Sequence, residues 1–180
     1  MEKKIIKRIK AGDWDAFSLL YNQYADYALR VGMAVTRNRA NSADAVQETF
    51  IRVYRNIDKF DIDKPFKPWF YKILINECRR IMTPSPDILP MDEILENDTQ
   101  LSQEDKYRFQ EYEDLYKAIQ ELDETNRIPI ILKYLQDFSE KEIAEILGLN
   151  INTVKSRLYK GRQKLKKALG DFDGGRVNSG

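Results

Sequence analysis

Between Asn150 and Lys167 the chain reads NINTVKSRLYKGRQKLKK, with cations at Lys155, Arg157, Lys160, Arg162, Lys164, Lys166 and Lys167 and no acid. At about 100° per residue, Ile151, Val154, Leu158 and Leu165 fall on one side of a helix. Asn152, Thr153, Ser156, Tyr159 and Lys160 fall opposite, with Lys155 and Arg157 on the shoulders. Amides and short hydroxyls can approach base edges while Lys and Arg neutralise phosphates and donate to guanine, which is what a duplex major groove requires. A charged helix face is more often only solvated surface. What precedes this one favours DNA: Ser139 and Glu142 have capping-box spacing, and Ala144, Gly148 and Val154 have the spacing of a helix-turn-helix. There the small Ala admits a close helix and the Gly a sharp turn. Ile143, Ala144, Leu147 and Leu149 are expected to pack against Val154 and Leu158.

A second group of chemistry-bearing residues lies upstream. Opposite an apolar stripe of Ala43, Val46, Phe50, Val53 and Ile57, the helix from Asn41 to Ile57 carries Asp44, Gln47, Glu48 and Arg55, with Ile51 among them. A single exposed isoleucine is ordinary. Set in an acidic face that would repel DNA, it also suits an anchor for a basic protein partner.

Composition narrows the alternatives. The 180 residues hold 30 basic and 29 acidic side chains, no histidine and one cysteine, Cys78. No intramolecular disulfide, no usual zinc set and no Ser-His-Asp or Cys-His nucleophile can be assembled, and there is no Gly-rich phosphate loop. No metal or cofactor is expected, and the chain reads as a binding protein rather than an enzyme. No run reaches the ~18 apolar residues of a membrane span, and the N-terminus lacks a signal-peptide apolar core, so a cytoplasmic protein without membrane insertion is expected.

The elements that must position these residues are helical. Asp13 is placed to cap a helix carrying Phe17, Leu20, Tyr24, Tyr27, Ala28 and Val31 on its buried face. After the polar turn 36–42 comes the Ile51 helix. Pro65 and Pro68 then bracket a loop before a third helix with Trp69, Phe70, Ile73, Leu74 and Cys78, Pro68 sitting in its first turn. Pro84, Pro86 and Pro90 follow, with Asp87, Asp92, Glu93, Glu96, Asp98, Glu104 and Asp105 and no Lys or Arg: an acidic linker that holds the charges balancing the basic helix. Helical periodicity returns through Tyr112, Leu115, Tyr116, Ile119 and Leu122, and again from Ile128 to Leu135 with Pro129 in a first turn. The expected architecture is all-α: a helical domain over 1–82, an acidic Pro-containing flexible linker over 83–106, a helix-turn-helix domain over 107–169 and a flexible tail over 170–180.

DAVQETFIRVYRNIDKFD followed by PFKPWFYKILINECRR resembles region 2 of a sigma-70-type sigma factor of the extracytoplasmic-function (ECF) group, and the basic helix-turn-helix resembles region 4. The likeness runs from about residue 10 to 169. It implies that Asp44, Gln47, Glu48, Ile51 and Arg55 bind the clamp of RNA polymerase core. It implies too that the segment from Asn56 to Arg80 reads the melted −10 element. There Asn56, Phe60, Lys64, Phe66, Lys67, Trp69, Asn76, Arg79 and Arg80 would capture an unstacked base and neutralise phosphates. Asn152, Thr153, Lys155, Ser156, Arg157, Tyr159 and Lys160 would read the −35 duplex. An anti-sigma factor is a further partner the resemblance implies. The residues alone also admit a helix-turn-helix repressor or activator that needs no polymerase, and, more remotely, a helical nuclease using its acids for Mg²⁺.

Overall fold

The computed structural model describes residues 2–83 and 115–176, so the expected acidic linker falls, Thr83 apart, outside the described residues. Helices α1 (Glu2–Lys10), α2 (Trp14–Thr36), α3 (Arg39–Asn56) and α4 (Phe66–Met82) form the first group, with a 3-10 turn at Ile57–Lys59. Helix α5 (115–121), α6 (Glu124–Tyr134), α7 (Glu140–Leu147) and α8 (Ile151–Arg176) form the second. Among the described residues there is no strand, and no helix is long and apolar enough to cross a membrane.

Helix α1 was not anticipated, since its nine residues are mostly cationic. It is held by burial of Ile6 and Ile9. Asp13 caps α2 as expected, accepting from the Ala16 N–H at 3.1 Å, and its pairing with Arg8 at 2.8 Å fixes the bend from α1 into α2. Leu20, Tyr24, Ala28, Val31 and Val35 make the buried stripe of α2. Tyr27 does not belong to it: one residue short of Ala28 it is rotated by about 100°, and it stands 56% exposed beside Arg30.

Asn38 caps α3 through the Asn41 N–H at 2.8 Å, and the buried stripe of α3 is Ser42, Ala45, Val46, Thr49, Phe50 and Val53. Ala43, expected in that stripe, is exposed. The reason is a close helix crossing. A methyl on Gly32 would lie 2.5 Å from the Ser42 hydroxyl, and that hydroxyl donates to the Leu29 carbonyl at 3.0 Å. The helices therefore meet on their smallest residues.

Pro68 lies in the first turn of α4, as expected. This helix is buried on two faces. Phe70 packs on Tyr24 and Phe50 of the first group, while Tyr71 meets Phe138 of the second edge-on at 5.3 Å. The two groups thus share a seam. Arg127 of α6 is 3% exposed and donates to the Leu122 carbonyl at 2.6 Å and to the Val35 carbonyl at 2.9 Å. Arg37 also donates to Leu122, and Gln120 to the Ala34 carbonyl. Ala34 and Val35 are in the last turn of α2, where carbonyls lack intrahelical donors and the helix dipole is negative.

In the second group, Pro129 is inside α6 rather than in its first turn, because the helix already begins at Glu124 under an Asp123 cap. The Ser139–Glu142 capping box is present, and Gly148 ends α7 at φ 63°. Val154 and Leu158 are fully buried, whereas Ile151, expected beside them, is 38% exposed in the first turn of α8. Instead of fraying from Gly170, α8 runs on to Arg176. It approaches α6 most closely at Gly161, where a Cβ would lie 2.8 Å from Ile130 Cγ1. Gly161→Val is therefore expected to lower stability by about 1–3 kcal/mol, measured by denaturant unfolding, and to displace the basic helix from α6.

Candidate protein and nucleic-acid interfaces

Three surfaces collect the residues singled out by sequence. On α8, Asn152, Lys155, Ser156, Tyr159 and Lys160 are exposed, Thr153 and Arg157 half-buried, and Val154 and Leu158 hold the opposite side in the core. Five of the seven residues assigned to duplex reading are thus exposed and the other two partly so. Two other cations of this helix are tied back to the protein: Lys164 pairs with Asp123 at 2.5 Å, and Arg162 donates to the Tyr134 hydroxyl at 3.4 Å. The Lys164 hydrogen bond holds the Asp123 carboxyl down at about 2 against the opposing effect of burial, helped by the side-chain and backbone donors of Asn126.

On α3, Asp44, Gln47 and Arg55 are exposed and Glu48 and Ile51 half-buried. Gln47, Ile51 and Arg55 border a groove of about 820 Å³ between α2 and α3, whose apolar wall includes Trp14, Tyr21, Leu29 and Tyr54. Trp14, 64% exposed, stacks on Tyr54 at 4.8 Å. Ile51 was therefore only the visible edge of a larger apolar surface. Its signal was present in the sequence as a second stripe on α2, Trp14, Tyr21, Ala25 and Leu29, at spacings of seven and four.

The third surface is a pocket of about 310 Å³ between α3, the 3-10 turn and α4, lined by Asn56, Phe60, Trp69 and Asn76 together with Arg52, Lys59, Ile73 and Glu77. Four residues assigned from sequence converge here. Phe60 packs on Trp69 at 4.8 Å and on Phe66 at 5.6 Å. Phe66 itself is 1% exposed; it supports the other two rings from beneath and does not reach the surface as a contact residue, a correction to its assignment. The remaining cations differ in availability. Lys64 is exposed. Lys67 donates to the Gln136 carbonyl at 2.7 Å and lies 4.8 Å over the Phe138 ring, and Arg79 pairs with Glu124 at 3.1 Å, so both are engaged across the seam.

Arg52 and Glu77 were missed by sequence reading. Glu77 is 3% exposed and pairs with Arg52 at 2.8 Å and Arg80 at 2.7 Å, while Arg52 also pairs with Glu48 at 3.2 Å. The Glu77 carboxylate raises the Arg80 pKa through its hydrogen bond and charge. A buried glutamate cannot be told from a surface one by residue type alone. The resulting pocket has aromatic faces, two carboxamides and neighbouring cations, a set that can stack a planar base, bond its edge and hold its phosphate.

Residues 20–83 match the family model described as Sigma-70 region 2, and residues 112–165 that described as Sigma-70, region 4. The chain is 34% identical to the ECF RNA polymerase sigma factor SigW of Bacillus subtilis, over 96% of this chain and 98% of that protein. It is 30% identical to the ECF RNA polymerase sigma-E factor of Haemophilus influenzae, over 93% and 95%. Its fold is shared with CnrH, solved in complex with the cytosolic domain of CnrY, at a TM-score of 0.71 and 21% identity over 94% of this chain and 97% of that one. It is likewise shared with RpoE of Bartonella quintana, solved with the anti-sigma factor NepR, at 0.67 and 23% over 86% and 96%.

Asp123 joins the cap of α6 to the basic helix. Because its folded pKa lies below the ordinary value of 3.8, its contribution is present above that value and is lost as pH falls through about 2. Asp123→Ala is expected to lower stability by roughly 1 kcal/mol at neutral pH, with the difference from the parent shrinking as pH falls from about 4 towards 2. Unfolding curves of both proteins across that range measure it.

Proposed function

The chain belongs to the sigma-70 family of RNA polymerase sigma factors, in its extracytoplasmic-function group, and on that premise we propose that three separate surfaces carry the steps of promoter recognition. Polymerase core docks on the α3 face of Asp44, Gln47, Glu48, Ile51 and Arg55, with the aromatic groove beside it enlarging the apolar contact. The exposed face of α8 reads the −35 duplex. The pocket between α3 and α4 receives a base from the melted −10 strand. The observation that carries this reading is the meeting of Asn56, Phe60, Trp69 and Asn76 around one base-sized pocket. In this reading the chain divides into a region 2-like domain over 1–82, a linker over 83–106 and a region 4-like domain from 107, whose last helix continues to Arg176. The protein works in the cytoplasm as an initiation factor and catalyses nothing itself. An anti-sigma protein would inhibit it by covering these faces.

Engagement of Lys67 and Arg79 across the seam bears on the order of events. Phosphates of the −10 strand can pair with these cations only after Gln136 and Glu124 let them go, so promoter opening follows separation of the two helical groups. Core polymerase, by binding the groups apart, supplies the reason for separation. Tight sequence-specific promoter binding by the free chain, unchanged on adding core, would refute this and favour a repressor.

Reconstituting the chain with polymerase core and sequencing the 5′ ends of the transcripts tests the function as a whole: starts downstream of one shared −10 and −35 pair are expected. Ile51→Asp combined with Glu48→Lys should weaken core binding at least tenfold while leaving the unfolding midpoint close to that of the parent; unchanged affinity of the folded variant removes this face from the interface.

The α8 face is tested base by base. Alanine at Ser156 or Tyr159 is expected to change preference at particular −35 positions by about 1–3 kcal/mol, whereas alanine at Lys155 or Lys160 should weaken all promoters alike and reduce the salt dependence of binding. Competition among −35 variants with reconstituted polymerase separates the two patterns.

A further inference from the structure

The loop after α3 bears Phe60, yet Phe60 is buried and contributes to the pocket only as that loop is held. Its tether comes from outside the loop. Lys10, the last residue of α1, reaches across with its ammonium and donates to the Phe60 carbonyl at 2.6 Å and to the Asp58 carbonyl at 3.1 Å. A second cation of the same helix, Lys3, pairs with Asp63 further along the loop at 3.3 Å. Two carbonyls at the end of a 3-10 turn point the same way, and an ammonium with three donors suits them both. The negative end of the turn adds to the attraction.

We propose that Lys10 is a positioning residue for the −10 pocket, setting the loop so that Phe60 stands against Trp69 and the base that enters is held in one orientation. This rests on the −10 reading given above. The argument has three links on the page. The anchor of α1 is its buried side, Ile6 and Ile9, with the part-exposed Arg8–Asp13 pair beside the cap of α2. The Phe60 and Asp58 carbonyls are fixed to that anchor through one side chain. The Phe60 ring in turn contacts both Phe66 and Trp69, so a shift of its backbone moves a wall of the pocket. The outer contact, Lys3 with Asp63, is largely exposed, and a surface pair of that kind constrains little. Lys10 is the tighter tie.

The test uses the chain reconstituted with polymerase core, comparing Lys10→Met, which keeps the apolar stem and removes the donors, with Lys10→Arg, which restores cationic donors. Opening is read as permanganate reactivity of unpaired thymines, on promoters with the preferred −10 sequence and on single-base substitutions of it. Core affinity and the unfolding midpoint are measured alongside, and Trp69→Ala serves as a control for the pocket itself. Lys10→Met is expected to reduce discrimination between preferred and substituted −10 sequences by roughly three- to tenfold, the scale of a lost hydrogen-bonded tether. Core affinity and −35 preference should be unchanged, and Lys10→Arg should recover at least half of the discrimination. Full discrimination in Lys10→Met, while Trp69→Ala loses it, overturns the role of Lys10 and leaves the −10 reading standing. Full discrimination in Trp69→Ala overturns the −10 reading and this inference together. A parallel fall of core affinity and unfolding midpoint in Lys10→Met, without recovery by Lys10→Arg, makes Lys10 a purely structural residue and also overturns the proposal.

Discussion

Burial of α4 on two faces constrains everything around it. Phe66, Phe70, Leu74 and Cys78 are committed to the core of the first helical group, and Tyr71 to the seam with Phe138 of the second. Successive residues of a helix turn by about 100°, so once these faces are taken the remaining strip has no freedom of orientation. Trp69, Ile73 and Asn76 are on that strip and become one wall of the pocket. Lys67 and Arg79, lying towards the seam, meet Gln136 and Glu124. The same packing that stabilises the fold therefore decides which side chains can face a nucleic acid.

Two buried charges are accommodated in opposite ways. Glu77 sits between two guanidinium groups, Arg52 and Arg80, and the partnership offsets the cost of taking a carboxylate out of water. Arg127 has no such carboxylate contact among the described residues; its hydrogen bonds go to carbonyls, one of them in the last turn of α2, and burial lowers its pKa. Its Nε finds no acceptor among the described residues. A guanidinium held by carbonyls at a helix end is a weaker arrangement than one held by a carboxylate. The ties across the seam are therefore weaker than the Glu77 cluster, which lies within the first group.

The apolar surface shows the same economy of placement. Trp14 is largely and Tyr54 partly exposed, and their mutual stacking limits the apolar area each presents to water. An exposed aromatic pair beside Ile51 is the kind of feature that anchors a protein interface, since rigid rings contribute contact area with little loss of conformational freedom. The polar side chains on the border of the groove are mixed in charge: Asp26, Gln47 and Arg55.

Much of this was legible in the sequence, because it depends on local rules. The Asp13 cap, the Ser139–Glu142 capping box, the Gly148 turn and the basic face of α8 all follow from interactions within a few residues, and each stands where the sequence places it. The acidic face with Ile51 was legible for the same reason: helical periodicity alone separates outside from inside. What the sequence left open depends on neighbours distant along the chain. Tyr27 and Ala43 turn outward, because the Gly32–Ser42 crossing and the aromatic core choose the stripe that is buried. Phe66 lies beneath the pocket and not on its surface. The Glu77 cluster, the Arg127 ties and the reach of Lys10 to Phe60 join residues whose proximity no local pattern encodes. The sequence by itself determined the helices and which faces carry charge; only the tertiary packing decided which of those charges are free, because a cation is spent or spared by what happens to lie within hydrogen-bonding distance of it.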